Sequence, residues 1–532
     1  MSDRFKVLVT DKIEAAGLGA LNDDDRFEVI HEHDSTTESF MTALATAHAL
    51  IVRSATKVTT ELMEAAPALK VVGRAGVGVD NIDIPAATER GVAVMNAPAG
   101  NTISAAELTM ALLLAVVRRV PAADQSTRAG EWARGRFTGS ELRGKALGLV
   151  GGGRIGSEVA KRARAFGMRV LLFDPFLPAD RAREMGAEPL DLDELVAKAD
   201  VISLHIPLTD ETRGLFGLER LRSMKKGGVI VNVARGGVID EPALAQVLAE
   251  GHLAGAALDV YAKEPLGEDS PLRGAPNLVM TPHLGASTGE AQERVAEEIA
   301  QGVASALADG DLSAALNAPG VGGEAMRSLA PLLELGNHLG RLAVSLAPAG
   351  IRQLKVRYSG AREEGLNLLP RHVLVGVLLP ALGSDGVNVV NAALLAEARG
   401  IETQITQGPT RGDFAEQIEL TVDTAKGALT LKAAFLGPGH PRLVGIDDFA
   451  ISVEPHGSLL ILRNRDVPGV IGRVGSLLGE RGINIADYHQ ARREEGGLAL
   501  AAIRLDGRVH AGLLNELRAL PEVQSAHWVD LG

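Results

Sequence analysis

The chain has 532 residues, enough for three or four domains of about 150 residues each, so a single small core is excluded. Its 54 basic and 67 acidic residues give a net charge of −13, which argues against a general nucleic-acid binder, since such proteins need a basic surface. The chain has no cysteine, so disulfides, thiolate metal sites and a cysteine nucleophile are excluded.

The first hundred residues alternate short β-branched segments with polar stretches that have helical spacing. Alternation of this kind is typical of a parallel sheet with helices on its faces. The predicted strands are Phe5–Thr10, Ala49–Val52, Lys70–Val72 and Ala93–Met95.

Neither export nor membrane insertion is predicted. The N-terminus begins with charges and then alternates like a strand, without the apolar centre of a signal peptide. The longest apolar segment, Ala105–Val117, contains Glu107 and is too short to span a bilayer, so we predict a buried helix there. We therefore expect a soluble, cytoplasmic protein without membrane or nucleic-acid partners.

A glycine-rich motif carries the strongest chemical signal. The sequence GGGRIG at residues 151–156 follows the predicted strand Lys145–Val150 and opens the predicted helix Ser157–Phe166. Small residues let the backbone approach a pyrophosphate, and a helix N-terminus favours its negative charge. Asp174 ends the next predicted strand, 18 residues after the motif, where it can accept hydrogen bonds from ribose hydroxyls and would repel a 2′-phosphate. The motif predicts NAD rather than NADP; the alternative is a turn that needs glycine only for packing.

Further apolar strands follow, and each ends at a polar or glycine-rich turn. They are Val201–His205, Val229–Val233, Ala256–Val260 and Leu278–Thr281. Ligands of open parallel sheets bind where strands give way to such turns, so the residues just after these strands are candidates for a site.

Three of those residues suggest acid–base chemistry on a carboxylate substrate. Arg235, just past a strand, could hold a carboxylate with two hydrogen bonds, or could be an ordinary surface arginine. Glu264 and His283 lie in loops after two later strands, and a histidine held by a carboxylate can act as a general base near neutral pH. A lone histidine of this kind is more often structural, and the pair gains weight from the predicted dinucleotide site in the same sheet.

Two further arginines suggest an acidic substrate. Arg53 and Arg74 follow predicted strands, and the loop Gly73–Gly78 could present backbone N–H groups to an anion. Ordinary surface charge is nearly as good an explanation. The 13 histidines show no pair with the spacing of zinc proteases, and we expect no metal site.

The C-terminal part has a different pattern. A Pro/Gly linker at Asn317–Glu324 is followed by residues 325–455, which mix helical and strand-like pieces without a readable motif. From Ser458 onward the pattern predicts the order βαββαβ, which is the ferredoxin-like arrangement.

Four motifs together resemble the D-isomer-specific 2-hydroxyacid dehydrogenases: GGGRIG with Asp174, VARGGVIDEPAL, DVYAKEP and TPHLGAST. The resemblance is to the long form of that family, in which an intervening domain and an ACT domain follow the catalytic half. It implies an α/β fold with a Rossmann-type dinucleotide-binding domain at 99–290 inserted in a flavodoxin-like substrate domain at 1–98 and 291–317. An α+β intervening domain at 318–455 and a ferredoxin-like ACT domain at 456–532 would follow.

The resemblance also implies an activity and its residues. The expected reaction is the NAD-dependent oxidation of 3-phospho-D-glycerate to 3-phosphooxypyruvate, the first step of L-serine biosynthesis, with Arg235, Glu264 and His283 as the catalytic trio. The implied substrate-binding residues are Arg53, Arg74 and Gly76, with Arg134 reaching the phosphate site of a neighbouring subunit. The resemblance also implies the cofactor-contacting positions, which are Gly151, Gly153, Arg154, Ile155, Gly156, Asp174, Ile206, Val233, Ala234, Arg235, Asp259, His283, Leu284, Gly285 and Ala286. Among them, Ile206 stands where other family members often have a different residue.

The C-terminal segment resembles an ACT effector site. By that likeness Asn464, Asp466 and Asn484 would bind L-serine, the end product of the pathway, between paired domains of a homo-oligomer (a dimer or a tetramer). Some relatives have an aromatic residue or a histidine in place of Asn464, and the alternative is a module used only for assembly.

Two rival functions remain at this point. One is another 2-hydroxyacid dehydrogenase, acting on glyoxylate, hydroxypyruvate or D-lactate, against which the ACT-like tail and the two extra arginines argue. The other is a non-enzymatic, NAD-sensing scaffold of the kind found in corepressors that share this fold, which would not need an amino-acid-binding tail.

Overall fold

Four β-sheets organise the part of the chain that the computed structural model describes, namely residues 4–347, 350–384, 386–409, 414–425, 427–437 and 439–532. The first two sheets are parallel and belong to the N-terminal 310 residues. The third is mixed and the fourth is antiparallel.

The first sheet has five parallel strands in the order β2-β1-β3-β4-β5, which is the flavodoxin-like order. Its strands are β1 Phe5–Val9, β2 Phe27–His31, β3 Ala49–Val52, β4 Val71–Arg74 and β5 Ala93–Asn96. The sequence did not predict β2, because this edge strand is only partly buried and its apolar pattern is weak. The α-helices of this lobe are Gly19–Asn22, Glu38–Thr46, Thr60–Glu64, Ile84–Glu89 and Gly289–Asp309, with a 3₁₀ turn at Ala15–Leu18.

The second sheet has seven parallel strands in the order β12-β11-β10-β9-β6-β7-β8, a Rossmann-type order extended by one strand. Its strands are β6 Ala146–Val150, β7 Arg169–Phe173, β8 Ala187–Pro189, β9 Val201–Leu204, β10 Val229–Asn232, β11 Gly255–Leu258 and β12 Leu278–Met280. Its helices are Thr102–Val117, Val120–Arg128, Arg154–Ala165, Ala179–Glu184, Leu192–Lys198, Leu218–Ser223 and Glu241–Ala249, with 3₁₀ turns at Arg134–Phe137 and Pro271–Gly274.

The apolar segment predicted as a buried helix is the helix Thr102–Val117, and that prediction is confirmed. Met110, Leu113 and Val116 pack against the second sheet, where the hydrophobic effect favours their removal from water. No helix among the described residues is long and apolar enough to cross a membrane.

One long helix returns the chain from the second lobe to the first. In the helix Gly289–Asp309, Ile299 and Val303 each come within 2.8 Å of the position that a Cβ on Gly73 of β4 would occupy. A larger residue at Gly73 would push the helix away. The fold prediction of a dinucleotide-binding domain inserted in the substrate domain is therefore confirmed.

The third sheet, in the order β14-β13-β15-β16-β17-β18, has a parallel first pair and is otherwise antiparallel. Its strands are β13 Ile351–Ser359, β14 Glu402–Gly408, β15 Gln417–Thr424, β16 Gly427–Phe435, β17 Pro441–Ile446 and β18 Phe449–Val453. The helices Gly323–Leu346 and Leu369–Leu382 pack on it, with a 3₁₀ turn at Leu366–Leu368 and a short helix at Ala392–Glu397, as expected of an α+β domain.

The fourth sheet, in the order β20-β21-β19-β22, confirms the predicted βαββαβ pattern. Its strands are β19 Ser458–Arg465, β20 Ile485–Arg492, β21 Leu498–Leu505 and β22 Val523–Asp530, and its helices are Val470–Glu480 and Ala511–Ala519.

Candidate functional site

The glycine-rich motif forms the turn between β6 and the helix Arg154–Ala165. Gly151 has a φ of +102°, and a Cβ there would collide with the carbonyl oxygen of His205. A Cβ on Gly156 would collide with the carbonyl oxygen of Gly151. Both glycines are therefore required by the fold of the turn itself.

Gly153 differs from those two glycines. It is the N-cap residue of the helix, it is exposed, and a Cβ there would meet no protein atom within 4 Å. Arg154 and Ile155 follow it in the first helical turn. The open space in front of a helix N-terminus fits a pyrophosphate, so the residues present suit a dinucleotide.

Asp174 lies beside this turn, directly after β7. Its Oδ2 accepts a hydrogen bond from the N–H of Gly152 at 2.8 Å, and its Oδ1 accepts one from the N–H of Phe176 at 2.9 Å. These two contacts fix the carboxylate next to the glycine turn, and its remaining lone pairs can accept ribose hydroxyls.

The residues after β9 border the other side of the turn. The Cγ2 atom of Ile206 lies 3.0 Å from the position of a Cβ on Gly151, so Ile206 contacts the first glycine of the motif. His205 is half-buried, and its Nε2 lies 2.9 Å from the Oγ of Ser203. Burial lowers the pKa of His205 to about 4, so its ring is neutral at physiological pH.

The loop after β12 is held by one buried carboxylate. Asp259 is completely buried, and it accepts hydrogen bonds from the hydroxyl of Thr281 (2.6 Å) and the N–H groups of Leu284 (2.7 Å) and Gly285 (2.8 Å). Burial raises the pKa of Asp259, and the three donors oppose that shift by stabilising the charged form. Asp259 thus fixes the loop, and its direct contact with the cofactor stays a prediction, as do those of Leu284 and Ala286.

His283 and Glu264 meet in this loop. The Nδ1 of His283 lies 2.7 Å from the Oε2 of Glu264, while Oε1 of the same carboxylate accepts a hydrogen bond from the N–H of Tyr261 at 3.0 Å. The backbone of His283 has a φ of +56°, and its N–H donates to the carbonyl of Asp259 at 2.9 Å. A histidine held in the left-handed region is unusual, and such strain is concentrated at functional sites.

Arg235 connects the two lobes. It follows Val233 and Ala234 after β10, and the buried Asn232 holds the turn by accepting from the N–H of Ala234 (3.0 Å) and donating to the carbonyl of Arg235 (2.8 Å). The Nε of Arg235 lies 3.3 Å from the Oδ2 of Asp80 in the first lobe. A Cβ on Gly78 would collide with the Arg235 guanidinium, so the first lobe's glycine loop lies directly against this side chain.

The other two arginines lie at the same edge of the first sheet. Arg74 packs on Gly76, where any Cβ would collide with its guanidinium. Burial and the nearby positive charge of Arg235 lower the pKa of Arg74 to about 10, which leaves it charged at neutral pH. Its Nε is buried without a hydrogen-bond partner among the described residues, and this donor suits an anion.

Arg53 faces the loop of His283 across a cleft. The cleft is lined on one side by Arg53, Ala75 and Gly76 and on the other by Ala286. The N–H of Arg53 donates to the buried Asp11 at 2.5 Å, which fixes the backbone after β3. The structure thus brings the predicted substrate-binding arginines and the predicted catalytic residues to facing edges of the two sheets.

Arg134 is placed elsewhere. It lies exposed in the 3₁₀ turn Arg134–Phe137, outside the group of side chains around the cleft. Its predicted role in the site of a neighbouring subunit stays a prediction.

The three predicted effector residues do not converge within one chain. Asp466 precedes the helix Val470–Glu480 and pairs with Arg492 at 3.0 Å, whereas Asn484 follows that helix and donates to Asp506 at 2.6 Å. Asn464 is buried in β19 and donates to the carbonyl of Arg465 at 2.8 Å. Since the 11-residue helix is about 16 Å long, a site that uses all three residues requires two copies of the domain.

Sequence reasoning missed the residues that position the site. Asp11 holds the backbone of Arg53, and Asp80 and Asn232 hold Arg235, yet none of the three was named as a candidate. Asp11 and Asn232 each lie at or just beyond the carboxyl end of a parallel strand. That position is the feature of the sequence from which they could have been predicted as site residues.

Three family models match the chain in succession. The D-isomer specific 2-hydroxyacid dehydrogenase NAD binding domain matches residues 110–285, the D-3-phosphoglycerate dehydrogenase intervening domain matches 328–447, and the ACT domain matches 458–522. These matches agree with the second, third and fourth sheets.

Curated relatives match over nearly the whole chain. The D-3-phosphoglycerate dehydrogenase of Synechocystis is 41% identical over 528 residues, covering 99% of this chain and 95% of the relative. The D-3-phosphoglycerate dehydrogenase of Bacillus subtilis is 40% identical over 529 residues, covering 99% of this chain and all of the relative.

Solved structures match somewhat more than half of the chain. A glyoxylate reductase from Paecilomyes thermophila is 33% identical with a TM-score of 0.54, covering 59% of this chain and 99% of that one. The D-lactate dehydrogenase of Aquifex aeolicus, solved with NAD and lactic acid, is 32% identical with a TM-score of 0.51, covering 58% of this chain and 96% of that one.

Proposed function

This chain belongs to the D-3-phosphoglycerate dehydrogenase family, and from that premise we propose that its cleft oxidises 3-phospho-D-glycerate to 3-phosphooxypyruvate with NAD. The observation that carries the proposal is the contact between His283 and Glu264, at 2.7 Å, in a loop that faces Arg53 of the other lobe across a cleft. The reaction is the entry step of L-serine biosynthesis.

His283 is the proposed general base. With its Nδ1 held by Glu264, its Nε2 is the nitrogen left to remove the proton of the C2 hydroxyl. The carboxylate of Glu264 fixes the ring tautomer and stabilises the imidazolium that forms. NAD, when bound, supplies the hydride acceptor.

Arg235 is the proposed ligand of the substrate carboxylate and the C2 oxygen. Its planar guanidinium can donate two parallel hydrogen bonds to a carboxylate, and Asp80 and Asn232 fix its place between the lobes. Positive charge next to the C2 oxygen also favours the loss of the hydroxyl proton.

Arg53, Arg74 and Gly76 are proposed to bind the rest of the anionic substrate. The unpartnered, buried Nε of Arg74 supports this proposal, because a buried donor without an acceptor is costly until an anion binds. Arg134 of a neighbouring subunit would add a further charge to the phosphate site.

The cofactor contacts are proposed for the turn at 151–156, Asp174, Ile206, Val233 to Arg235, Asp259 and the loop at 283–286. The open space at Gly153 and the carboxylate of Asp174 beside it support NAD as the cofactor.

The rival functions differ in which parts of the chain they would require. Solved relatives that include a glyoxylate reductase cover only 57–59% of the chain, whereas the D-3-phosphoglycerate dehydrogenases cover 94–99% of it. A scaffold that only senses NAD would not need the pair of Glu264 and His283.

One assay separates the three functions. The purified chain is mixed with NADH and 3-phosphooxypyruvate, glyoxylate, hydroxypyruvate or pyruvate, and the loss of absorbance at the reduced nicotinamide band is followed. We expect the phosphorylated substrate to have the highest specificity constant. Preference for an unphosphorylated acid would favour the other dehydrogenases, and no turnover with any of them would favour the scaffold.

The C-terminal domain is proposed to bind L-serine between two copies of the chain, through Asn464, Asp466 and Asn484. The separation of Asp466 from Asn484 along one helix supports a shared site in a homo-oligomer, as a dimer or tetramer.

The domain boundaries and the location of the protein also stay proposals. We place the boundaries at 98/99, 290/291, 317/318 and 455/456, which limited proteolysis would test. The proposed location is cytoplasmic, which cell fractionation would test.

A further inference from the structure

Among the described residues, the third sheet has one open edge. Its strand β18 packs against β20 of the fourth sheet, but the opposite edge strand, β14 (Glu402–Gly408), pairs with β13 on one side only. Five of its seven residues are exposed. Alternate N–H and C=O groups of such a strand point away from the ladder and can pair with another strand.

This edge lacks the features that usually prevent strand addition. The sequence ETQITQG has a single charge, Glu402, and no proline, and Ile405 at its centre is 40% exposed. Proteins normally protect long edge strands with lysines, prolines, bulges or a covering element. An edge of this kind is therefore suited to being covered by another strand.

We propose that β14 pairs antiparallel with β14 of a second copy of the chain, about a two-fold axis through Ile405. Centring the pair on Ile405 overlaps all seven residues of both strands and joins the two six-stranded sheets into one. A two-fold axis makes every contact occur twice, so one favourable side-chain pair on the edge contributes twice to the binding free energy.

Charge complementarity fixes this register. Pairing about Ile405 places the partner's Glu402 opposite Gly408, on the same face of the sheet. Arg357 of the neighbouring strand β13 points to that spot, since its Nη2 lies 3.0 Å from the position of a Cβ on Gly408. The carboxylate of the partner's Glu402 would thus lie within reach of Arg357, at both ends of the paired strands.

The side chains involved have free hydrogen-bonding capacity. The Nε of Arg357 is buried without a partner among the described residues. Glu402 accepts from the side chain of Gln353 at 3.1 Å through Oε2, which leaves Oε1 for another donor. An added carboxylate would satisfy a donor that the single chain leaves unpaired.

The other face of the edge has room for an added strand. A cleft of about 620 Å³ lies between β14 and the helix Leu369–Leu382, lined by Leu374, Glu397 and Ile405 among others. The odd-numbered side chains of the partner strand would enter this space, with the two copies of Ile405 in contact on the axis.

The absence of cysteine from all 532 residues allows a direct test. Residues opposite each other in an antiparallel pair have Cα atoms about 4.5–5.5 Å apart, within the range of a disulfide. Ile405→Cys should therefore form a covalent dimer when the full chain is treated with a mild oxidant such as diamide, on a non-reducing gel.

Thr403→Cys is the matched control. It lies on the same face, but its two copies would be offset by four residues, or about 13 Å, so it should not crosslink to itself. A mixture of Thr403→Cys and Gln407→Cys chains should crosslink, because 403 faces 407 across the axis. The proposal would be overturned if the Thr403→Cys chain alone crosslinked as readily as the Ile405→Cys chain. It would also be overturned if the Ile405→Cys chain formed no covalent dimer.

Charge reversal tests the register without a covalent bond. Glu402→Arg and Arg357→Glu should each raise the dissociation constant of this interface at least tenfold, seen as a smaller mass in sedimentation equilibrium, and the double variant should restore the wild-type mass. Wild-type mass in both single variants, or capture of an unrelated protein at this edge in place of a second copy, would refute it. Turnover with 3-phosphooxypyruvate should be unchanged in every variant, so failure here is distinct from failure of the proposed activity.

Discussion

The catalytic cleft and the effector residues of the fourth sheet are built in opposite ways. Arg53, Arg235 and His283 are spread over more than 200 residues of sequence, yet they lie at facing edges of two sheets. Asn464, Asp466 and Asn484 fall within about 20 residues, yet a helix separates them.

Strand direction explains the difference. In a parallel sheet the carboxyl ends of all strands share one edge, so residues after successive strands gather there even when helices intervene. In the βαββαβ domain β19 and β20 also run parallel, but Asn464 and Asp466 lie at the carboxyl end of β19 whereas Asn484 precedes β20 at its amino end, so they lie at opposite edges of the sheet. Parallel sheets can complete a site within one chain, whereas the proposed effector site would draw on a second copy of this domain.

The largest effect is expected at the base. His283→Ala should reduce kcat by about 10²-fold or more, the scale of general acid–base catalysis, because no other group would take the C2 proton. NAD affinity, measured by fluorescence titration, should stay nearly constant, since the glycine turn is untouched. Wild-type turnover in this variant would remove His283 from the mechanism and make the cleft a binding site only.

The next effect concerns the phosphate. Arg53→Ala should raise KM for 3-phosphoglycerate about 30-fold, as expected when a charged hydrogen bond of about 2 kcal/mol is lost. KM for an unphosphorylated 2-hydroxy acid should change far less. An equal rise for both substrates would mean that Arg53 does not recognise the phosphate, and Arg90→Ala, a surface arginine paired with Glu64, is the matched control.

The glycine turn offers a comparison within one motif. Gly153→Ala should weaken NAD binding about 20-fold while lowering the free energy of unfolding by no more than about 1 kcal/mol, because its Cβ meets no protein atom and only the N-cap preference for glycine is lost. Gly156→Ala should instead lower the free energy of unfolding by about 1–3 kcal/mol, because its Cβ collides with the carbonyl of Gly151. The Tm from calorimetry measures the change in stability, and titration with NAD measures the change in affinity. Equal effects of Gly153→Ala and Gly156→Ala on both quantities would contradict this difference between the two glycines.

Cofactor choice is expected to respond more modestly. Asp174→Ala should narrow the preference for NAD over NADP about tenfold, since the carboxylate that repels a 2′-phosphate is lost. The measurement is the ratio of kcat/KM for the two cofactors. Asp180→Ala, on an exposed helix of the same lobe, serves as the control. A wild-type enzyme without preference would exclude this role of Asp174.

The smallest effect is expected in the effector domain. Asp466→Ala should reduce L-serine affinity about fivefold, the effect of losing a hydrogen bond worth about 1 kcal/mol, because the proposed partner of the ammonium group is lost. Calorimetric titration with initial rates would measure this effect. Deletion of residues 457–532 should abolish inhibition and spare catalysis. If L-serine does not bind the wild-type chain, the domain serves assembly alone.

Much of the fold could be predicted because local pattern and tertiary environment agree. The buried strands of the second sheet are short and apolar and lie between polar turns, and β6, β9, β10 and β11 were found within one or two residues of their bounds. The two strands of the first two sheets that were missed, β2 and β8, are edge strands with exposed positions, where burial imposes little pattern.

The sequence by itself determined the glycine turn and the family motifs, because the steric and chemical demands of a turn act within a few neighbouring residues. It also supplied Glu264 and His283 as candidates, but their contact at 2.7 Å depends on loops after two different strands. Only the tertiary structure decided that Asp80 lies beside Arg235, that Asp11 binds the backbone N–H of Arg53, and that the edge of β14 is open. These pairings depend on how sheets and lobes pack, and long-range packing leaves no local signature in the order of residues.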